Sequence, residues 1–234
     1  MLYTERVTFG FAIRFGVLAL IAGTVACAGE DGASDSDLTA DAGPRFECSK
    51  TAHIGDSLTA YTIPTLTNEY KAHGVTDLVL SAGGGRSVFQ KVTPDTETGK
   101  VAAARIRSSG FKGCWVVALG TNDTANIAAG ANYSRAAAID QMMTTIDETK
   151  KAPVMWVNTF TIKTSGYWDN ENMILWNKAL DDAKARWPNL RVYDWASKAK
   201  GGTAPYVDGI HHTKAGYAVR NKAIAEALVT FFTR

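Results

Sequence analysis

The sequence is poor in residues on which several functional classes depend. Its 234 residues include only three cysteines and four histidines, which leaves no His-rich cluster for a metal site. The 25 basic residues are scattered and nearly balanced by 23 acidic ones, so no dense basic stripe is available for a nucleic-acid backbone. Hydrophobic residues make up 46% and charged residues 21%. These values exclude disordered, collagen-like and multi-span membrane proteins and predict one ordinary packed domain without a nucleic-acid partner.

The apolar run near the N-terminus is too short for a permanent membrane anchor. Residues 15–28 (FGVLALIAGTVACA) follow Arg6 and Arg14, and crossing a bilayer needs about 20 apolar residues. This layout predicts a signal peptide over residues 1–27. Cys27 closes a TVAC segment that is similar to a bacterial lipobox, so lipidation of Cys27 and simple cleavage nearby both stay open. We therefore expect an exported protein that is extracellular, periplasmic or lipid-anchored to the cell envelope.

The segment after the signal peptide has almost nothing to bury. Residues 28–45 are mostly Gly, Ala, Ser and Asp, which predicts a flexible acidic linker ahead of a folded domain over residues 46–234. Cys48 and Cys114 then form an even pair in an oxidising compartment, with Cys48 just ahead of one predicted strand and Cys114 at the start of another. We expect a disulfide between them, the alternative being two buried free thiols.

Short apolar runs alternate with segments of helical spacing throughout the predicted domain. Apolar residues at intervals of three and four predict the helices, one of which ends before Pro188. The alternation is typical of a parallel sheet with helices on both faces, in which ligands bind at the carboxyl ends of the strands. The five predicted strands are residues 51–54, 77–80, 114–119, 154–158 and 190–193.

Two motifs at opposite ends of the domain carry groups suited to nucleophilic catalysis. Ser57, in GDSLT, follows the first strand and precedes a predicted helix, where its N–H could face an oxyanion; a helix N-cap is the alternative. Asp208 and His211, in DGIHHT, lie ahead of the last helix. The carboxylate could hold the imidazole Nδ1–H while Nε2 takes the proton of Ser57. A capping turn and a metal site are the alternatives, and His212 is interpreted as a bystander.

Two further motifs supply hydrogen-bond donors at strand ends. Gly83, Gly84 and Gly85 follow the second strand, and glycines let a backbone N–H approach a ligand closely; a flexible turn is the alternative. Asn122, in GTND, follows the third strand, and its amide can donate a hydrogen bond or form an Asx turn. A phosphate-binding loop is disfavoured because the Lys-Ser/Thr ending is missing.

Taken together and in this order, the four motifs resemble the SGNH (GDSL-type) hydrolase family over about residues 50–215. The resemblance implies an α/β fold of the flavodoxin-like kind, a three-layer α/β/α sandwich around a five-stranded parallel sheet. It also implies ester hydrolysis without a metal or cofactor. The family's catalytic triad matches Ser57, Asp208 and His211.

The oxyanion hole implied by the resemblance consists of the Ser57 N–H, the Gly85 N–H and the Asn122 amide. Gly83 and Gly84 compete for the place of Gly85, and Ser81 stands where the family more often has Asn or Asp.

The sequence thus predicts an exported, monomeric serine esterase that acts on short-chain or O-acetyl esters of small molecules or glycans. Two alternatives stay open. One is an O-acyltransferase acting on cell-envelope glycans, which differs only in the acceptor, and the other is a non-catalytic glycan-binding module.

Overall fold

A six-stranded sheet organises the computed structural model, which describes residues 3–8, 44–91 and 96–234. The strand order is β1-β3-β2-β4-β5-β6, with β1 antiparallel to β3 and all other neighbours parallel. The strands are β1 (Tyr3–Thr8), β2 (Lys50–Gly55), β3 (Asp77–Ala82), β4 (Cys114–Ala118), β5 (Val154–Val157) and β6 (Leu190–Tyr193).

The antiparallel edge strand is the part of the sheet that the sequence pattern did not predict. β1 pairs with β3 from Tyr3 opposite Ala82 to Thr8 opposite Asp77. It lies inside the predicted signal peptide, residues 1–27, whose cleavage would leave β3 at the edge of the sheet. The signal peptide stays a prediction, and Cys27 and residues 28–43 of the predicted linker lie outside the described residues.

The five parallel strands confirm the predicted flavodoxin-like α/β architecture. Strand β2 is central, the chain first adds β3 on one side, and it then adds β4, β5 and β6 on the other. The topological switch point therefore lies between β2 and β4, where a crevice opens beyond the carboxyl ends of the strands. Ser57 follows β2 and Asn122 follows β4, so both predicted motifs lie at this switch point.

Helices cover both faces of the sheet and complete the three layers. The helices of the described residues are α1 (Ser57–Ala60), α2 (Ile63–Ala72), α3 (Gly99–Ser108), α4 (Thr121–Ala128), α5 (Arg135–Asp147), α6 (Asn170–Ala183), α7 (Trp195–Lys200) and α8 (Lys214–Phe232). One apolar core joins the sheet to α2, α7 and α8 through Leu66, Trp195 and Leu228. The other joins the sheet to α3, α5 and α6 through residues such as Ile106, Met142 and Trp176.

The predicted disulfide between Cys48 and Cys114 is confirmed, with the two Cα atoms 5.3 Å apart. It joins the chain just before β2 to the first residue of β4. The bond therefore ties the amino ends of two neighbouring central strands, at the opposite edge of the sheet from Ser57. Separately, none of the helices in the described residues is long and apolar enough to cross a membrane.

Candidate active site

Ser57, His211 and Asp208 form a hydrogen-bonded chain at the carboxyl edge of the sheet. Ser57 Oγ lies 2.9 Å from His211 Nε2, and His211 Nδ1 lies 2.7 Å from Asp208 Oδ2. The serine is 154 residues from the histidine in sequence, and only the fold brings them together. The three side chains therefore have the connectivity that transfers a proton from a hydroxyl to an imidazole held by a carboxylate.

Ser57 is held at the first position of the short helix α1 by its neighbour Asp56. The Asp56 carboxylate is the N-cap of this helix and accepts the Leu58 N–H at 2.9 Å. Burial raises the pKa of Asp56 to about 6, although the nearby Arg220 guanidinium opposes the rise. Arg220 is itself buried and its Nη1 donates to the Leu58 carbonyl at 3.4 Å. Ser57 is thus fixed by a buried polar network beneath it.

The loop that carries His211 is shaped by Asp208. Its Oδ1 accepts the N–H groups of Ile210 and His211 at 2.9 and 2.7 Å, which leaves Oδ2 for the imidazole. Partial burial would raise the pKa of Asp208, but the hydrogen bonds from the His211 side chain and from the two N–H groups hold it well below its usual range. Asp208 is therefore ionised at neutral pH and fixes the Nδ1–H tautomer of His211.

The two predicted oxyanion-hole segments lie against each other. The Asn122 Nδ2 donates to the carbonyl of Arg86 at 3.0 Å, which leaves its second amide hydrogen for another acceptor. Arg86 N–H donates to the Gly83 carbonyl at 3.3 Å and closes a turn in which Gly85 has a φ of +66°. That conformation favours glycine at position 85 over any other residue. The left-handed backbone conformation accounts for the choice of glycine at position 85. The role of the Gly85 N–H in the oxyanion hole stays a prediction.

Asp123 is a buried group for which the sequence analysis assigned no role. It is 0% exposed, and each carboxylate oxygen lies 2.9 Å from the Val88 N–H, with the Tyr133 hydroxyl at 3.4 Å from Oδ1. Burial raises the pKa of Asp123 to about 7, although hydrogen bonds from the N–H groups of Val88 and Phe89 oppose the rise. The carboxyl joins the helix that carries Asn122 to the loop that carries Gly85. Its position directly after Asn122 in GTND was the available signal.

Arg86 is a second buried group that the sequence did not single out. Its Nη1 donates to the Ser81 carbonyl at 2.8 Å and to the Ser81 hydroxyl at 3.0 Å, and its Nε donates to the Glu97 carbonyl at 3.1 Å. Ser81 is therefore an anchor for this arginine. Together these bonds hold the glycine turn against the end of β3.

His212 lies in the core and takes no part in the hydrogen-bonded chain of Ser57, His211 and Asp208. It is 3% exposed and packs against the rings of Trp195, Tyr206 and Tyr217. Burial lowers the pKa of His212 to about 4, so the ring is neutral at neutral pH. Among the residues the structure describes, no group of three or more His, Cys, Asp or Glu side chains is placed to hold a metal ion.

The fold is that of known hydrolase structures. A lipase/acylhydrolase of Enterococcus faecalis is 14% identical with a TM-score of 0.58, over 77% of this chain and 96% of its own. A GDSL-like lipase of Bacteroides thetaiotaomicron is 16% identical with a TM-score of 0.53, and the match covers 77% of this chain and 88% of the lipase. The chain has the SGNH hydrolase fold. The same fold occurs in the C-terminal catalytic domain of a Streptococcus pneumoniae peptidoglycan O-acetyltransferase, whose structure carries a methylsulfonyl adduct. That domain is 15% identical with a TM-score of 0.55, and the match covers 77% of this chain and 92% of the domain.

Sequence comparison alone does not reach this relationship. No protein-family model matches the chain, and no curated protein matches it. The SGNH fold therefore rests on the three-dimensional likeness, with short motifs as the sequence counterpart.

Proposed function

We propose that the protein is an exported serine esterase that hydrolyses short-chain or O-acetyl esters through Ser57, His211 and Asp208. The observation that carries the proposal is the hydrogen-bonded chain Ser57–His211–Asp208, with distances of 2.9 and 2.7 Å. The SGNH fold supports a hydrolase, and the nucleophile position at the carboxyl end of β2 is where such a sheet binds its ligands.

In the first half-reaction, Ser57 Oγ attacks the carbonyl carbon of the ester as its proton passes to His211 Nε2. The carbonyl oxygen becomes an anion, and Asp208 stabilises the imidazolium through Nδ1–H. His211 then gives the proton to the alcohol oxygen, the carbon–oxygen bond breaks, and the alcohol departs from the acyl-enzyme. In the second half-reaction water attacks the acyl carbon as its proton passes to His211 Nε2. The bond from the acyl carbon to Ser57 Oγ then breaks, His211 returns the proton to Oγ, and the carboxylic acid departs.

The developing oxyanion needs donors at its own position. The Ser57 N–H is the first of α1, and the first N–H groups of a helix have no acceptor within the helix. The second hydrogen of the Asn122 amide and the Gly85 N–H complete the proposed oxyanion hole. Each such donor contributes about 3 to 4 kcal/mol to lowering the barrier.

Export and the substrate are part of the same proposal. Disulfides such as Cys48–Cys114 form and persist in oxidising compartments, and the apolar run over residues 15–28 is typical of a secretory signal. We propose a monomer that meets small-molecule or glycan esters outside the cytoplasm, either free or anchored by a lipid at Cys27.

A second candidate is acyl transfer to a cell-envelope glycan, favoured by the fold shared with the Streptococcus pneumoniae O-acetyltransferase domain. The acyl-enzyme on Ser57 would be the same, and a sugar hydroxyl would replace water in its breakdown. Acetate release measured against acetyl appearance on an added sugar acceptor separates the two reactions.

The test of the esterase is hydrolysis of 4-nitrophenyl acetate by the purified protein and by Ser57→Ala. We expect the variant to lose turnover by several orders of magnitude, about 10⁶-fold where the triad acts as a unit. Ser87→Ala is a matched control, since Ser87 is a buried serine outside the triad. Equal turnover by the wild type and Ser57→Ala would refute the proposal, as would a folded wild type inert toward every ester tried.

A further inference from the structure

A groove lies directly beside the imidazole of the proposed triad. It has a volume of about 440 Å³ and is lined on one side by Tyr61 and Thr65 and on the other by Val207, Thr213 and Lys214. The Tyr61 ring lines the groove and also packs on the His211 ring, with the centroids 5.5 Å apart. The groove therefore lies directly beside His211, the proposed general acid.

Its place decides which half of an ester would occupy it. In the proposed mechanism His211 Nε2 gives its proton to the leaving alcohol oxygen, so that oxygen must lie beside His211. In the same mechanism the oxyanion faces the donors of Ser57, Gly85 and Asn122, none of which lines this groove. Because Tyr61 both lines the groove and contacts His211, the groove is placed to hold the alcohol half of the substrate and not the acyl half.

The lining is suited to a hydroxyl-rich alcohol. Tyr61 is 67% exposed and offers a flat ring, while Thr65 and Thr213 bring hydroxyl groups to the rim. In the wall, the His212 ring interacts with the backbone of Ala204 and Pro205, and the Tyr217 hydroxyl interacts with the backbone of His212, so these buried polar groups are engaged within the protein.

The lining of the groove carries one positive charge, Lys214, while the neighbouring Asp208 carboxylate is hydrogen-bonded to His211. Lys214 is exposed at the first position of α8, and no carboxylate is among the described residues that line the groove. The 19-residue helix α8 begins here without an acidic residue in its first turn, so the positive end of its dipole adds to the Lys214 charge. An anionic group on the alcohol would be attracted by both the Lys214 charge and the N-terminal end of α8.

We propose that this groove binds the alcohol half of the ester and that this alcohol is a sugar carrying a carboxylate. The inference rests on the proposed esterase function and adds the class of its substrate. Tyr61 stacks on the sugar ring, the hydroxyl groups bind the ring hydroxyls, and Lys214 pairs with the carboxylate.

The test compares two esters that differ only in that carboxylate, acetylated methyl glucuronoside and acetylated methyl glucoside. We expect the wild type to prefer the acidic sugar ester roughly fivefold in kcat/KM, as suits an ion pair at a partly exposed site. In Lys214→Met the ratio should fall to about 1, mainly through KM. Lys222→Met is the matched control: Lys222 lies further along the same helix, faces Glu226, and should retain the wild-type ratio.

The outcomes separate this inference from the esterase itself. Suppose that turnover depends on Ser57. Equal kcat/KM for the two sugar esters in the wild type would then overturn the groove assignment alone, and so would faster turnover of octyl acetate. A wild type that hydrolyses no ester would refute the esterase. Saturation-transfer NMR with the unacetylated methyl glucuronoside would then still detect an occupied groove, and absence of binding would reject it too.

Discussion

The buried carboxyl of Asp123 makes a prediction that can be worked through from the structure. Replacing it by asparagine keeps its size and one acceptor oxygen for the Val88 N–H but removes the ionisable group. The Asp123 pKa is raised by burial from 3.8 to about 7 in the folded protein. The folded state therefore retains a proton that the unfolded chain loses over this interval.

The sign and size of the effect follow from proton linkage. Between about pH 4 and pH 7 the unfolded chain binds fewer protons at this group, so ionisation favours unfolding and stability falls as pH rises. Each pKa unit corresponds to about 1.4 kcal/mol, and the full interval to about 4 kcal/mol. Below pH 4 and above pH 7 the contribution is constant, because both states then carry the same charge there.

The assay is urea unfolding followed by tryptophan fluorescence, at intervals from pH 3.5 to pH 8.5, for the wild type and Asp123→Asn. The wild-type free energy of unfolding minus that of the variant should fall by about 4 kcal/mol across the interval and be flat on either side. Titration of His53 is common to both proteins and cancels in the difference, whereas the Asp56 charge raises the pKa of Asp123 and so contributes to the measured interval. A difference that does not change with pH would show that Asp123 is ionised in the folded protein, contrary to our account.

Three further predictions concern the site and the disulfide. Asp208→Asn keeps an acceptor for the N–H groups of the loop but no longer holds the His211 tautomer, so kcat for 4-nitrophenyl acetate should fall about 10³- to 10⁴-fold in steady-state kinetics. Asn122→Ala should lower kcat about 10²- to 10³-fold with little change in KM, and an unchanged kcat would exclude it from the oxyanion hole. Replacing Cys48 and Cys114 together by alanine opens a loop with a sequence separation of 66 residues. Urea unfolding should show a loss of about 4 kcal/mol, with catalysis kept, whereas unchanged stability would contradict the loop-entropy argument.

The fold was predictable where local pattern and global topology agree. The apolar runs over residues 114–119 and 154–158 are buried on both sides of a parallel sheet, and such strands are recognisable as nearly continuous hydrophobic stretches. The edge strand Tyr3–Thr8 was not predictable in this way. It is paired on one side only with β3, and its residues precede an apolar run that matches a leader sequence.

The site was predictable where one residue type does one chemical task. The spacing of Asp208 and His211 could be interpreted from the motif alone because a carboxylate and an imidazole on one turn reach each other. The polar groups beneath the site could not. Asp123 and Arg220 act through partners far along the chain, such as the Leu58 carbonyl that Arg220 contacts across 162 residues, and the partners of Arg86 are indicated by no spacing rule. Their roles depend on burial, which no local pattern reveals.

The central claim is that Ser57 is an activated nucleophile, and covalent labelling tests it most directly. The folded protein is treated with a fluorophosphonate probe, digested, and analysed by mass spectrometry to find the modified residue. We predict one adduct per molecule, on Ser57, which disappears when the probe is added to Ser57→Ala. An unlabelled wild type, or an adduct on another serine with Ser57 unmodified, would contradict the account.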